Sequence, residues 1–192
     1  MSNPEHVLAF WLDDVGPSGW YSGGEELDQT IRERYAELWL SALGEDRLGW
    51  CATPRSTLAL LILLDQFPRN MFRGSHRAYH SDRHARAVAK HAIGRSWDLR
   101  VNESDRQFFY LPLMHSECLG DQDRAVRLIK ERMPEAGADN LLHAKAHREV
   151  IRRFGRFPHR NDELGRSSTP PEQAYLDGTG YRGIVEAFRK AA

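Results

Sequence analysis

Two stretches of the chain place the same polar residues beside a Phe-Pro step. Residues 64–70 have the sequence Leu-Asp-Gln-Phe-Pro-Arg-Asn, and residues 155–161 have the sequence Gly-Arg-Phe-Pro-His-Arg-Asn. Proline interrupts a helix and restricts the residue before it, so we expect each Phe-Pro step to form a stiff corner after a helix. Such a corner would present Arg and Asn side chains, and guanidinium groups grip carboxylate or phosphate with paired hydrogen bonds.

The acid of the first stretch, Asp65, belongs to the most apolar helical segment of the chain. It follows Leu61 and Ile62 at helical spacing. A carboxylate buried alone costs several kcal/mol, so we expect Asp65 to be buried and paired. Its structural interpretation is a salt bridge to an arginine of the 148–166 corner, and its functional interpretation is a general base or ligand group with a perturbed pKa. In either case we expect Asp65 to accept a hydrogen bond from an Arg or His of the 147–161 segment.

Three histidines are candidates for moving protons or binding a ligand. His115 lies four residues after Leu111 on an apolar face, and His147 shares an apolar face with Val150. Imidazoles titrate near neutral pH, so two inward histidines on different helices favour acid–base chemistry over packing alone. His159 lies in the second Phe-Pro corner, and Glu117 is expected to point away from His115, toward Arg124.

A metal site is not predicted. His76, His80 and His84 recur with the spacing of one helix face, which suits a shared ion. However, no carboxylate or cysteine nearby completes the set, and the surrounding residues are basic. The sequence therefore predicts a solvated helix face, with no metal and no cofactor.

Composition and missing motifs exclude several function classes. The 192 residues carry a net charge of zero, although 23 of the cations are arginine, so bulk attraction to nucleic acid or membrane is not expected. Phosphate-binding loops, dinucleotide fingerprints and serine-nucleophile elbows are missing from the sequence. Two cysteines give no disulfide framework, no signal peptide is recognisable, and the expected location is cytoplasmic.

The apolar residues recur with helical periodicity from end to end. Thr53-Pro54 and Thr169-Pro170 have the form of helix starts, and Gly44 and Gly94 of helix ends. Sustained strand alternation is not found. The sequence predicts an all-α, antiparallel bundle of about eight or nine helices in a single domain spanning 1–192, in which Pro68 ends one helix and Ser104 with Gln107 caps another.

Several motifs resemble those of the bacterial family called domain of unknown function 924. They are the stretch 64–74, the run Phe-Tyr-Leu-Pro-Leu-Met-His-Ser-Glu at 109–117, the pair His147-Arg148, and the segment 155–170. The resemblance covers most of the chain. It implies an all-helical, tetratricopeptide-like fold and no defined activity, and the three histidines at 76–84 are not part of it.

The motif residues are mostly polar and come from four separate segments, so we expect them to converge on one cleft. The first hypothesis is a cleft that binds an anionic small molecule or carboxylate, with Asp65, His115 and His147 moving protons if it is an enzyme. The ligand would be held by Gln66, Arg69, Asn70, Glu117, Arg156, His159, Arg160 and Asn161. The alternative is a tetratricopeptide-like module that binds a peptide without catalysis. Binding of nucleic acid by the arginines is a weaker third hypothesis.

Overall fold

The structure, a computed structural model, describes residues 3–191 apart from the side chains of 45–48. Over this range the α- and π-helical segments join into nine continuous runs, linked by turns and short 3-10 helices, and no strand is present. The all-α prediction is confirmed. No helix within 3–191 combines the length and the apolar character required to cross a bilayer.

The chain divides into two compact units, with the boundary after Pro112. Unit 1 ends with Pro112, and unit 2 begins with Leu113. The boundary falls within a helix, Glu103–Met114. That residues 1–192 form a single domain stays a prediction.

Unit 1 holds the first seven α-helices. They are α1 (Pro4–Leu8), α2 (Gly16–Gly19), α3 (Glu25–Ala42), α4 (Pro54–Leu61), α5 (Phe67–Met71), α6 (Asp82–Gly94) and α7 (Glu103–Met114), with π-helical segments at Ala9–Val15 and Ile62–Gln66 and 3-10 helices at Glu45–Ala52, His76–Tyr79 and Trp97–Arg100. Every residue from Leu58 to Leu64 is buried, as expected for a helix that is apolar on almost every side. Each buried leucine contributes about 2 kcal/mol of hydrophobic stabilisation.

Pro68 does not end its helix, so this prediction is wrong. Helix α4 passes through the π-helical turn into α5 without a break. Proline lacks the N–H that would bond the carbonyl four residues back, which is that of Leu64. The Ser81 hydroxyl donates to that carbonyl at 2.6 Å instead, and Trp39 Nε1 donates to the same hydroxyl at 3.0 Å. A tertiary contact therefore replaces the missing backbone hydrogen bond and lets the helix continue.

Other helix boundaries also differ from the predicted ones. Helix α7 begins at Glu103, so Ser104 is inside it and does not cap it, and the helix continues through Pro112 to Met114. Ser75 accepts from the N–H of Arg77 and caps the short 3-10 helix there.

Unit 2 is built around one long helix. Its elements are α8 (Leu119–Arg132), α9 (Ala138–Phe154), a 3-10 turn (Pro158–Arg160), α10 (Pro170–Asp177) and α11 (Gly180–Lys190). Gly155 ends α9 with a φ of 70°, a left-handed conformation that glycine adopts without strain. Helix α9 packs against α8 and α11, and Phe157 is fully buried with Ala146, Val150, Ile151, Ile184 and Val185. This core fixes the loop that carries the second motif.

Candidate functional site

Asp65 in unit 1 is buried, as predicted. Its side chain is 1 % exposed, accepts a hydrogen bond from Gln66 Nε2 at 2.6 Å, and lies 3.4 Å from Arg69 Nη1. All three residues lie where the π-helical turn passes into α5, a geometry that recurs at functional sites. The expected partner for Asp65 in the 147–161 segment stays a prediction, because that segment belongs to unit 2.

Arg69 lies between two carboxylates of unit 1. Its Nη2 atom is 3.1 Å from an oxygen of Asp82, and its Nη1 atom approaches Asp65. Burial would lower the pKa of Arg69, but the two acids outweigh it and raise the pKa above the usual value. The guanidinium is charged and is compensated from two sides.

Asn70 acts on a third carboxylate of unit 1. Its Nδ2 atom donates to Asp28 at 2.8 Å, and Arg73 donates to both oxygens of the same carboxylate. Asp28 and Arg73 also line a surface recess of about 540 Å³, together with Gly24, Glu25, Gln29 and Arg32. The recess is lined by none of the eleven predicted site residues.

Glu117 in unit 2 holds the loop after α9. Both of its oxygens accept from Arg166, at 2.8 and 3.0 Å, and one also accepts from the N–H of Phe157 at 2.8 Å. Arg166 in turn donates to the carbonyl of Phe157 at 3.2 Å. Burial would raise the pKa of Glu117, but these donors lower it below the usual value. The partner is therefore Arg166 and not Arg124, and the pair grips both backbone groups of Phe157.

Arg156 and Asn161 hold the same loop by other contacts. Arg156 forms a two-pronged ion pair with Glu172, at 2.6 and 2.7 Å, and donates to the carbonyl of Ser167. Glu172 also accepts from the backbone and hydroxyl of Thr169, which caps α10 as predicted. Asn161 is buried and donates to Ser168 at 3.0 Å. Through these contacts, Arg156 and Asn161 both support the loop.

The remaining motif residues of unit 2 gather around the ring of Phe157. We call His115, His147, His159 and Arg160 the histidine cluster. The Arg160 guanidinium lies 4.4 Å from the ring centre of Phe157, within cation–π range, and donates to the carbonyl of His115 at 3.0 Å. The ring of His147 is 5.4 Å from that of Phe157 and 6.2 Å from that of His115. His159 lies 5.5 Å from Phe157.

The histidine cluster disfavours further positive charge. Burial lowers the pKa of His147 to about 3, and neighbouring His115 and Arg160 add to the effect. Partial burial and Arg160 lower the pKa of His159 to about 4, although the residue as a whole is exposed. Both imidazoles are therefore neutral at physiological pH, and the unprotonated nitrogen of each ring can accept a hydrogen bond.

The three histidines at 76–84 do not share a helix. His76 lies in a 3-10 helix and His84 in α6, with His80 in the turn between them. The i, i+4, i+8 spacing therefore does not describe one face. Within the part of the chain that the structure describes, no three His, Cys, Asp or Glu side chains are placed to hold an ion. That these histidines bind no metal stays a prediction.

Three residues that the sequence motifs did not single out contribute to the site. Arg166 pairs with Glu117, and Tyr181 contacts His147 from α11. Asp139 lies inside α9 and contacts His143, which precedes His147 on the same helix. The spacing of Asp139, His143 and His147 at i, i+4 and i+8 is the signal that would have placed them on one face.

Comparison with known proteins gives a family and a structural relative. A family model described as bacterial protein of unknown function, DUF924, matches residues 7–180. The chain is similar to a solved structure of a protein of unknown function from Agrobacterium tumefaciens, with 40 % identity and a TM-score of 0.85, over 90 % of this chain and 96 % of that one. No curated protein matches the chain.

Proposed function

Because the chain belongs to the bacterial family DUF924, whose description assigns no activity, we propose a function from its own residues. Unit 2 binds a small anionic molecule, of the carboxylate or phosphate class, at the histidine cluster. The predicted residues His115, His147, His159 and Arg160 would contact this ligand. The loop that carries the cluster would be held by Glu117, Arg156 and Asn161, which would not contact the ligand themselves.

The observation that carries the proposal is the crowding of cationic and proton-accepting groups around Phe157. Arg160 is charged, and its field contributes to the lowered pKa values of His147 and His159. Glu117 acts electrostatically on Arg160, and its carboxylate is also bound by Arg166 and the N–H of Phe157. An anion bound beside Arg160 would relieve the repulsion and favour protonation of the neighbouring imidazoles.

Anion binding should therefore be accompanied by proton uptake. We would titrate the protein with inorganic phosphate and with citrate by calorimetry at pH 5, closer to the lowered pKa values of the imidazoles, in two buffers of different ionisation enthalpy. The expected result is a binding heat that differs between the buffers, as proton transfer from the buffer requires. The variant Arg160→Gln should weaken binding by about tenfold or more, as loss of a charged hydrogen bond would.

A matched control comes from the same unit. Arg148 lies on α9, is partly exposed and pairs with Asp123, so Arg148→Gln should bind as the wild type does. Circular dichroism checks the folding of both variants, and the exposed His159→Asn gives a second test within the cluster. Equal affinity in Arg160→Gln, His159→Asn and wild type would refute the proposal, as would the lack of any binding heat with either anion.

A peptide-binding module without catalysis is the second candidate. This candidate is favoured because Arg69 lies between two acids and Arg156 forms an ion pair with Glu172. Arginines paired in this way are expected of a structural network, which the peptide-binding candidate assumes. A thermal-shift screen of small anions separates the two candidates, because only the first predicts stabilisation that is lost in Arg160→Gln.

A further inference from the structure

A chain of hydrogen-bonding side chains runs through unit 2 to His147. His147 Nδ1 lies 3.1 Å from the hydroxyl of Tyr181, and that hydroxyl lies 2.7 Å from Nδ1 of His143. Nε2 of His143 lies 3.6 Å from a carboxylate oxygen of Asp139. Hydrogen bonds therefore join the phenol of Tyr181 to both imidazoles, and a longer contact of 3.6 Å extends from His143 to Asp139.

The contacts fix which nitrogen of His147 carries the proton. Nδ1 also lies 2.9 Å from the backbone carbonyl of His143, and a carbonyl oxygen only accepts hydrogen bonds. The hydrogen must therefore be on Nδ1, and in the neutral ring Nε2 is unprotonated. The Tyr181 hydroxyl then accepts from His147 Nδ1, and its own hydrogen lies between Nδ1 of His143 at 2.7 Å and the carbonyl of His143 at 3.5 Å.

The free nitrogen of His147 is available to a ligand. Nε2 makes no hydrogen bond with any residue of the described range, and it is not among the fully buried polar atoms that lack a partner. The residue as a whole is half-buried. The groups around the ring are His115, His159 and Arg160 of the histidine cluster, together with Phe157, His143 and Tyr181.

We propose that His147 is a general base, and that Tyr181 and His143 are positioning residues that hold its Nε2 unprotonated. Once a bound anion offsets the positive field of Arg160, Nε2 would take the proton of a water or hydroxyl group beside that anion. The electron pair of the broken O–H bond stays on that oxygen, and His147 becomes an imidazolium with a hydrogen on each nitrogen. The role of His147 as a base rests on the proposed function, because that function supplies the ligand. The assignment of the His147 tautomer does not depend on the proposed function.

Nuclear magnetic resonance of protein labelled with ¹⁵N-histidine tests the protonation state without a ligand. At pH 7 we expect His147, assigned with His147→Gln, to show a protonated Nδ1 and an unprotonated Nε2. In Tyr181→Phe the Nδ1–H of His147 still has the carbonyl of His143 as an acceptor. The Nδ1–H tautomer should therefore be lost only in part, with about half of it replaced by the Nε2–H tautomer. A wild-type ring that is charged, or protonated on Nε2, would overturn the proposal.

Tyr175→Phe is the matched control. Tyr175 lies on the neighbouring helix α10, contacts Phe154, and its buried hydroxyl has no hydrogen-bond partner within residues 3–191. Removing that hydroxyl should leave the His147 signals unchanged. A change of equal size in both variants would mean that Tyr181 acts only through packing, which contradicts its positioning role.

Acylation by diethyl pyrocarbonate tests access to the nitrogen. An unprotonated imidazole nitrogen attacks a carbonyl carbon of the reagent, forms an N–C bond and expels ethyl carbonate, which breaks down to ethanol and carbon dioxide. We expect His147 to be modified at pH 7, more slowly in Tyr181→Phe, and to be protected by phosphate. An unmodified His147 counts against the base. Modification that phosphate does not slow counts against the proposed anion site and leaves the assigned proton acceptor in place.

Discussion

The two Phe-Pro segments share their residues but not their conformation. Around Pro68 the helix continues, because the Ser81 hydroxyl takes the carbonyl that proline leaves open. Around Pro158 the chain has already left α9 at Gly155, and the proline begins a 3-10 turn. The same dipeptide is therefore an internal helix position in unit 1 and the start of a loop turn in unit 2.

The arginines that follow differ in how their charge is compensated. Arg69 contacts Asp65 and Asp82 directly, whereas Arg160 lies over the ring of Phe157, donates to the carbonyl of His115 and also acts electrostatically on Glu117. The field of Arg160 still reaches His147 and His159, because it helps to lower the pKa of both imidazoles. This comparison is why we assign support to the first segment and binding to the second.

The largest expected effect is on stability, from breaking the charge pairing in unit 1. Arg69→Met leaves two buried carboxylates without that cation and should lower the free energy of unfolding by about 3–5 kcal/mol in a urea titration. The exposed pair of Arg55 with Glu5 is the control, and Arg55→Met should cost less than about 1 kcal/mol. Adding Asp65→Asn to Arg69→Met should recover part of the loss. Equal losses in the two single variants would contradict a structural role for Arg69.

The next effect concerns the loop of unit 2. Glu117→Gln removes the charge that Arg166 and the Phe157 N–H share, and should cost about 1.5–3 kcal/mol, the range for hydrogen bonds to a charged group. Glu149→Gln is the control, since Glu149 pairs with two arginines on the outer face of α9, and its loss should be smaller. Urea titrations followed by circular dichroism measure both, since the five tryptophans all lie in unit 1. A larger loss in Glu149→Gln would contradict the clamp.

Sequence patterns were sufficient for the features that depend on neighbouring residues. Helical periodicity gave the all-α class, and Thr53 and Thr169 do cap helices by reciprocal bonds with Ser56 and Glu172. These are local rules, settled within one turn of helix. The tetratricopeptide-like character of the fold stays a prediction. The shared cleft of Arg69 with Arg160 also stays a prediction, because the two arginines belong to different units.

The features that sequence analysis missed depend on tertiary contacts. Nothing near Pro68 indicates that Ser81 will complete its helix, and nothing near Glu117 indicates Arg166 as its partner. Tyr181 is separated from His147 by the whole loop and α10. Only the spacing of Asp139, His143 and His147 along one helix was available from the sequence.

The buried imidazole of unit 2 should make the protein acid-sensitive. The pKa of His147 is lowered from its ordinary value of 6.5 to about 3, so the unfolded chain takes up a proton that the folded chain refuses. Its contribution to stability is complete above pH 6.5 and is lost as the pH falls toward about 3. Between pH 6.5 and 5, where carboxylates stay ionised, the unfolding free energy should fall more steeply with decreasing pH in wild type than in His147→Gln. The difference between the two slopes corresponds to about one bound proton, or about 1.4 kcal/mol per pH unit. Parallel curves for the two proteins would mean that the folded state protonates His147 normally.

The smallest expected effects come from the prolines themselves, and they should differ in sign. Pro158 occupies a position where no N–H is needed, so Pro158→Ala mainly frees the unfolded chain and should cost about 0.4–1 kcal/mol. Pro68 is followed and preceded by helix, where alanine is intrinsically the better residue. Pro68→Ala should therefore be neutral or stabilising, even though Ser81 already satisfies the carbonyl of Leu64. Thermal and urea unfolding of both variants measure the two effects. If Pro68→Ala lost as much unfolding free energy as Pro158→Ala, both prolines would act in the unfolded chain alone. The helix through Pro68 would then give alanine no advantage.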